Sequence, residues 1–71
     1  MNLAFQRELE LTEYDALQGD AEKYFQRESR LIAMDVHGDS LPMRLLDNYR
    51  LIASLRADRF KTAQDLWAKM N

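Results

Sequence analysis

The chain of 71 residues contains no cysteine, one histidine, one proline and two glycines. Without cysteine it forms no disulfide, and a single imidazole is too few for the three or four protein ligands of a stable zinc site. A chain near this length buries only about 60% of its unfolded surface on folding. Small domains gain the missing stability from disulfides, metals or partner subunits. Self-association is therefore the route that this composition leaves open.

Long apolar runs are also absent. The longest run spans residues 31–34, far short of the roughly 20 residues that cross a bilayer. Residues 1–11 lack the basic start and apolar centre of a secretory signal. The absence of cysteine fits a reducing compartment. We therefore expect a cytoplasmic protein that does not contact the membrane.

Catalytic motifs are equally scarce. His37, Asp39 and Ser40 are the residue types of a hydrolase triad, but they lie on one short loop. Triads are assembled from separate chain segments, so that the base can reach the nucleophile and be oriented from behind. We predict that these residues form a turn, that the chain is not an enzyme, and that it uses no cofactor or metal.

The few helix-breaking residues cluster at the middle of the chain. Gly38 can end one helix, Asp39 or Ser40 can cap the next, and Pro42 suits its first turn. Elsewhere the chain is rich in strong helix formers. The sequence predicts one all-α domain over residues 1–71. It consists of a helix over about 3–36, a turn at 37–40 and a helix over about 41–70.

The first helix carries two points where it could be interrupted. Gly19 is unfavourable inside a helix, so a break at 18–20 is compatible with the sequence. Thr12 resembles the start of a capping box, which would leave 3–11 as a separate helix or an extended segment. A lone strand has no partner strand in this chain, so we prefer a helix that begins near Leu3.

Apolar residues on either side of Gly38 mirror each other. Positions whose numbers sum to about 77 pair apolar with apolar. The pairs are Met34 with Met43, Ile32 with Leu45, Leu31 with Leu46, Phe25 with Ile52, Tyr24 with Ala53, Leu17 with Phe60, Tyr14 with Ala63, and Leu11 with Leu66. This register predicts an antiparallel two-helix hairpin.

Some apolar residues lie beside this hairpin seam. On the second helix the seam uses Leu45, Tyr49, Ile52, Phe60, Ala63 and Trp67. The residues left over on the two helices are Leu31, Met34, Leu51, Leu55 and Leu66. Exposed apolar patches usually mark an interface, so we predict a homodimer in which two hairpins stack as a four-helix arrangement. The alternative is that these side chains cover the edges of a single hairpin.

Glu28 and Arg56 lie within the apolar stripes of the two predicted helices. Burial of an unpaired charge costs several kcal/mol, and the register places the two residues roughly two helical turns apart within one hairpin. A symmetric dimer could bring Glu28 of one subunit into contact with Arg56 of the other, which would place both residues at the predicted interface. In the alternative, Arg56 extends over the edge of the core and Glu28 bonds to Tyr49 or to solvent.

The charges are distributed unevenly. Residues 1–22 hold six acidic side chains and only Arg7 as a base, whereas the remainder holds nine basic and six acidic side chains. Lys23, Arg27 and Arg30 form a stripe at helical spacing, and such a stripe could contact phosphates of a nucleic acid.

A short, acidic, helical chain without cysteine is typical of small regulatory accessory proteins of phages and bacteria. We predict a non-catalytic module that binds and modulates a larger partner protein as a homodimer. The acidic segment would select the partner by charge, and the leftover apolar residues would supply affinity. The alternative function is a nucleic-acid-associated regulator that uses Lys23, Arg27 and Arg30.

Overall fold

A computed structural model describes residues 3–35 and 43–70, and throughout these ranges the regular structure is helical. The helices are α1 (Leu3–Leu17), α2 (Ala21–Met34), α3 (Met43–Arg56) and α4 (Phe60–Met70). The predicted all-α class is confirmed, but the described ranges contain four helices where the sequence predicted two. The turn predicted at 37–40, with its three triad-type residues, lies outside the described residues.

The first interruption falls at 18–20, where α1 ends and α2 begins. The Tyr14 carbonyl accepts the N–H groups of both Gln18 and Gly19 at 2.8 Å. A Cβ atom at Gly19 would lie 2.6 Å from the Asp15 Oδ1 atom, so a side chain would clash there. Asp20 then caps α2, because its carboxylate accepts the Glu22 N–H at 3.0 Å.

The preferred start of the first helix near Leu3 is found in the structure, and the alternative start at a Thr12 capping box is not, because α1 runs without a break from Leu3 to Leu17. Thr12 is fully buried. Its hydroxyl donates to the Glu8 carbonyl one turn earlier at 2.7 Å, which is how a threonine satisfies its hydroxyl inside a helix.

The prediction of one helix over 41–70 is also wrong, since α3 ends at Arg56. Asp58 has a left-handed backbone with φ of 59°. The Arg59 N–H bonds to the Ser54 carbonyl at 2.7 Å, and the Asp58 N–H bonds to the Leu55 carbonyl at 3.3 Å. This is a Schellman motif, which usually places glycine at the left-handed position. Aspartate adopts that conformation more readily than most residues, so neither glycine nor proline marks the break.

The helices form a three-helix unit with a fourth helix outside it. Helices α1, α2 and α3 all pack against one another, whereas α4 packs against α3 and against no other helix of the described ranges. Lys69, near the end of α4, lies 3.4 Å from the carboxylate of Asp47, near the start of α3. The two helices are therefore antiparallel.

The buried core belongs to the three-helix unit. One cluster joins Phe5 of α1, Leu31 of α2 and Leu46 of α3. A second cluster consists of Ala16, Ala21, Tyr24 and Ala53, again from the first three helices. Within the described ranges α4 buries only Ala63 and Leu66.

The mirror register holds near the centre of the chain and fails at its ends. Leu31 shares a cluster with Leu46, and Tyr24 shares one with Ala53, as the register predicts. The predicted outer pairs are wrong: Leu17 with Phe60, Tyr14 with Ala63, and Leu11 with Leu66. They require α1 to lie along α4, but both predicted long helices bend back on themselves, so among the described residues α1 and α4 do not pack together.

Candidate interaction surface

An apolar groove of about 360 Å³ runs between α3 and α4. It is lined by Leu51, Leu55, Phe60, Ala63, Gln64 and Trp67. Gln64 is the one polar residue in this lining. We call this feature the α3–α4 groove.

The walls of the α3–α4 groove expose large side chains to solvent. Phe60 is 62% exposed, Trp67 is 61% exposed and Leu55 is 50% exposed. Phe60 and Trp67 are seven residues apart, so they lie on one side of α4. The sequence placed both aromatic residues in the seam of a hairpin. The structure corrects this, because the turn at Asp58 directs α4 away from α1.

Three of the five predicted apolar interface residues are accessible from outside the chain, and two are buried. Leu51 and Leu55 line the α3–α4 groove, and Met34 is exposed at the end of α2. Leu31 and Leu66 are buried inside the chain. These two leucines therefore have little surface to offer to a partner.

Glu28 is paired within the chain. Although it is only 9% exposed, its carboxylate accepts hydrogen bonds from Arg50 Nε at 2.9 and 3.0 Å and from Arg50 Nη2 at 2.6 Å. The carboxylate raises the pKa of the Arg50 guanidinium. The sequence analysis missed Arg50, although the numbers of this pair fit the mirror register to within one residue. Tyr49, the alternative partner for Glu28, donates its hydroxyl hydrogen to Glu13 instead.

Arg56 closes the end of α1. Its guanidinium donates to the carbonyls of Asp15 at 2.9 Å, Ala16 at 3.1 Å and Gly19 at 2.8 Å. The last carbonyls of a helix lack partners within the helix and attract cations. Both charges are therefore satisfied inside one chain, and the fold of that chain does not require a contact between Glu28 of one subunit and Arg56 of another.

The basic stripe on α2 faces acidic residues of α1. Arg27 pairs with Asp15 and lies 3.3 Å from Glu8, and Arg30 lies 3.5 Å from Glu8. The Asp15 carboxylate raises the pKa of the Arg27 guanidinium. Lys23, the third member of the stripe, is exposed. Acids from α1 therefore offset two of the three charges of the stripe.

A second cavity, of about 460 Å³, lies at the other end of the α3–α4 contact. Its lining consists of Arg44, Asp47, Asn48, Lys69 and Met70. Asp47 is only 8% exposed, and its Oδ1 atom accepts no hydrogen bond from the described residues. Arg50 Nη1 approaches that atom at 3.7 Å. This cavity carries charges of both signs, in contrast to the apolar groove.

The described ranges contain no group of three or more His, Cys, Asp or Glu side chains that could hold a metal ion. Among the same residues, no helix has both the length and the apolar character that crossing a membrane requires.

Comparison of the chain with protein-family models, with curated proteins and with solved structures gives no match.

Proposed function

We propose that this chain is a small non-catalytic protein-interaction module. It binds another polypeptide through the α3–α4 groove and thereby modulates a larger partner protein. The observation that carries this proposal is the contiguous exposure of Leu55, Phe60 and Trp67 around one apolar groove. Large aromatic side chains supply much of the affinity at protein interfaces, and contiguous apolar patches mark such interfaces.

The charged residues support protein binding over nucleic-acid binding. Arg27 and Arg30 engage the acidic residues of α1, so the basic stripe has little charge left for phosphates. Glu28 and Arg56, which the sequence placed at an interface, stabilise the fold of a single chain. The α3–α4 groove is therefore the surface whose composition suits a protein partner.

The test compares two leucine-to-lysine variants with the wild-type chain. Leu55→Lys places a charge in the groove, whereas Leu3→Lys changes a 75% exposed leucine on α1. Each protein, checked for folding by circular dichroism, is used to capture partners from cells of the source organism. Leu55→Lys should reduce the captured larger protein by about tenfold or more, as loss of a central interface residue does, and Leu3→Lys should retain it. Equal capture by both variants would contradict the proposal.

A further inference from the structure

We propose that the polypeptide which occupies the α3–α4 groove is a second copy of this chain, related to the first by a two-fold axis that crosses α3 and α4. This inference rests on the proposed function, because it names the occupant of the same groove. The dimer is then the form that binds the larger partner protein.

The residues of α4 that line the groove form a pattern that complements itself. Phe60 and Trp67 stand at its two ends, with Ala63 and Gln64 between them. An antiparallel pair of α4 helices with the axis between positions 63 and 64 places Phe60 against the partner's Trp67. At the centre, Ala63 is only 5% exposed, so Phe60, Gln64 and Trp67 supply the α4 side of the contact. A two-fold interface requires this kind of reciprocal matching of one patch with itself.

The same axis also matches the apolar residues of α3. The contact between Asp47 and Lys69 sets the antiparallel register of α3 and α4, with residue numbers that sum to 116. In this register, the level of the axis on α4 corresponds to a point between Ile52 and Ala53 on α3. Leu51 and Leu55 lie on either side of this point, and both line the groove. One axis therefore places Phe60 against the partner's Trp67 and brings Leu51 to within one residue of the level of the partner's Leu55.

The charges beside the groove are compatible with a second copy. Lys61 and Asp65 form an exposed ion pair one turn apart on α4, with a distance of 3.0 Å. In the antiparallel arrangement, Lys61 lies within one residue of the level of the partner's Asp65 on the same flank. A surface of one sign would repel its own copy, whereas this flank carries one charge of each sign.

The exposed apolar area is sufficient for a small dimer. Leu55, Phe60 and Trp67 are 50–62% exposed, which corresponds to roughly 350 Å² of apolar side-chain surface per copy. Specific interfaces at the small end of the range bury about 600 Å² per partner, of which somewhat more than half is apolar. Complexes with interfaces of this small size are typically weak, so we expect a dissociation constant on the order of micromolar.

The decisive experiment uses the absence of cysteine from the chain. Gln64→Cys places a thiol beside the axis, where its Cβ atom can come close enough to that of its copy for a disulfide. Gln26→Cys places a thiol on an exposed position of α2 and serves as the matched control. Mild oxidation at protein concentrations above the expected dissociation constant should convert Gln64→Cys to a covalent dimer about tenfold faster than Gln26→Cys, because docking raises the effective concentration of the facing thiols.

Sedimentation equilibrium on the unmodified chain and on Leu55→Lys completes the test. The wild-type chain should be dimeric at high micromolar concentration, and Leu55→Lys should weaken the dimer about tenfold or more. A wild-type chain that stays monomeric would overturn the inference, as would a dimer that Leu55→Lys does not weaken or equal cross-linking of the two cysteine variants. If the chain is monomeric but Leu55→Lys still abolishes capture of the larger protein, the proposed function stands and the second copy is excluded. If capture is also unaffected, both proposals fail.

Discussion

Helix α3 packs against α2 on one side and against α4 on the other, and the two contacts bury different chemistry. Between α2 and α3, Tyr24, Leu31 and Leu46 are fully buried, and the buried Glu28 is paired with Arg50. The Tyr24 hydroxyl donates to the Leu46 carbonyl at 3.2 Å. Burial raises the pKa of Tyr24. This contact is apolar at its centre, and its polar groups have partners.

The contact between α3 and α4 buries fewer large side chains and leaves polar atoms without hydrogen bonds. Ala63 and Leu66 are the residues of α4 that it buries within the described ranges. Asp47 and Ser54 are seven residues apart, so they lie on one side of α3. Among the described residues, the Asp47 Oδ1 atom accepts no hydrogen bond, and the Ser54 Oγ atom neither accepts nor donates one. An unsatisfied buried polar atom costs about 1–3 kcal/mol. The contact between α3 and α4 is therefore the less complete of the two.

The largest expected effect is on the contact between α2 and α3. Arg50→Met leaves Glu28 buried without its partner, which should lower the free energy of unfolding by about 3–5 kcal/mol. Urea denaturation monitored by circular dichroism measures this change. Lys61→Met, which removes one half of an exposed pair, is the control and should change the value by less than about 0.5 kcal/mol.

Double-mutant cycles sharpen this prediction. Glu28→Gln combined with Arg50→Met should lose much less stability than the sum of the two single changes, because the residues are in direct contact. Glu28→Gln combined with Arg56→Met should give an additive loss, since these two residues share no partner. Coupling in the second cycle and additivity in the first would contradict the pairing described above.

The next effect is a gain on the α4 side of α3. Ser54→Ala removes a buried hydroxyl that has no partner in the described structure, and we expect the free energy of unfolding to rise by about 1 kcal/mol. Ser29→Ala is the matched control, because Ser29 is exposed and its hydroxyl donates to the Phe25 carbonyl at 3.2 Å. Both changes improve helix propensity equally. A gain at Ser54 no larger than that at Ser29 would show that the buried hydroxyl is not costly.

A gain of similar or smaller size is expected at the turn before α4. Asp58→Gly places glycine where φ is 59° and should stabilise the fold by about 0.5–1 kcal/mol. Asp35→Gly is the control, because Asp35 caps α2 with a negative φ of −90° and has no left-handed strain to relieve. Thermal denaturation of the two variants should separate them, and equal melting temperatures would count against the strain at Asp58.

The smallest effect concerns Tyr49, which connects α3 to α1 through Glu13. Burial, together with this hydrogen bond, raises the pKa of Tyr49 from 10.0 to about 12. A raised pKa favours the neutral phenol in the folded state, so its contribution is complete below pH 10 and is lost as the pH rises towards 12. Tyr49→Phe should therefore make urea stability less sensitive to pH in this window. Tyr14→Phe, which leaves the contact with Glu13 intact, should preserve the wild-type dependence.

The sequence predicted the parts of the fold that follow from local pattern. Gly19 marked the interruption between α1 and α2. The mirror register predicted that Leu31 packs with Leu46 and that Tyr24 packs with Ala53. The second interruption could not be predicted, because the apolar spacing of Ile52, Phe60 and Ala63 continues in phase across it. Asp58 supplies the left-handed turn without glycine or proline.

The candidate site was predicted only in part for the same reason. Leu51 and Leu55 were identified as surplus apolar residues, and both line the groove. Phe60 and Trp67 were assigned to a seam that exists only if α4 continues α3 in a straight line. The mirror register could have identified Arg50 as the partner of Glu28, because 28 and 50 fit it to within one residue. The carbonyl partners of Arg56 depend on how α1 packs against α3, which is a tertiary property with no local signature.

The hydrogen bonds from Arg56 couple distant parts of the chain during folding. Its acceptors in α1 and at Gly19 precede it by 37 to 41 residues. The Asp15, Ala16 and Gly19 carbonyls therefore receive the Arg56 hydrogen bonds only when α3 has docked, and until then water must satisfy those carbonyls. A peptide that stops before Arg56 lacks these contacts. The α1–α2 hairpin is thus incomplete as an autonomous folding unit, and α1, α2 and α3 are expected to unfold in one cooperative transition.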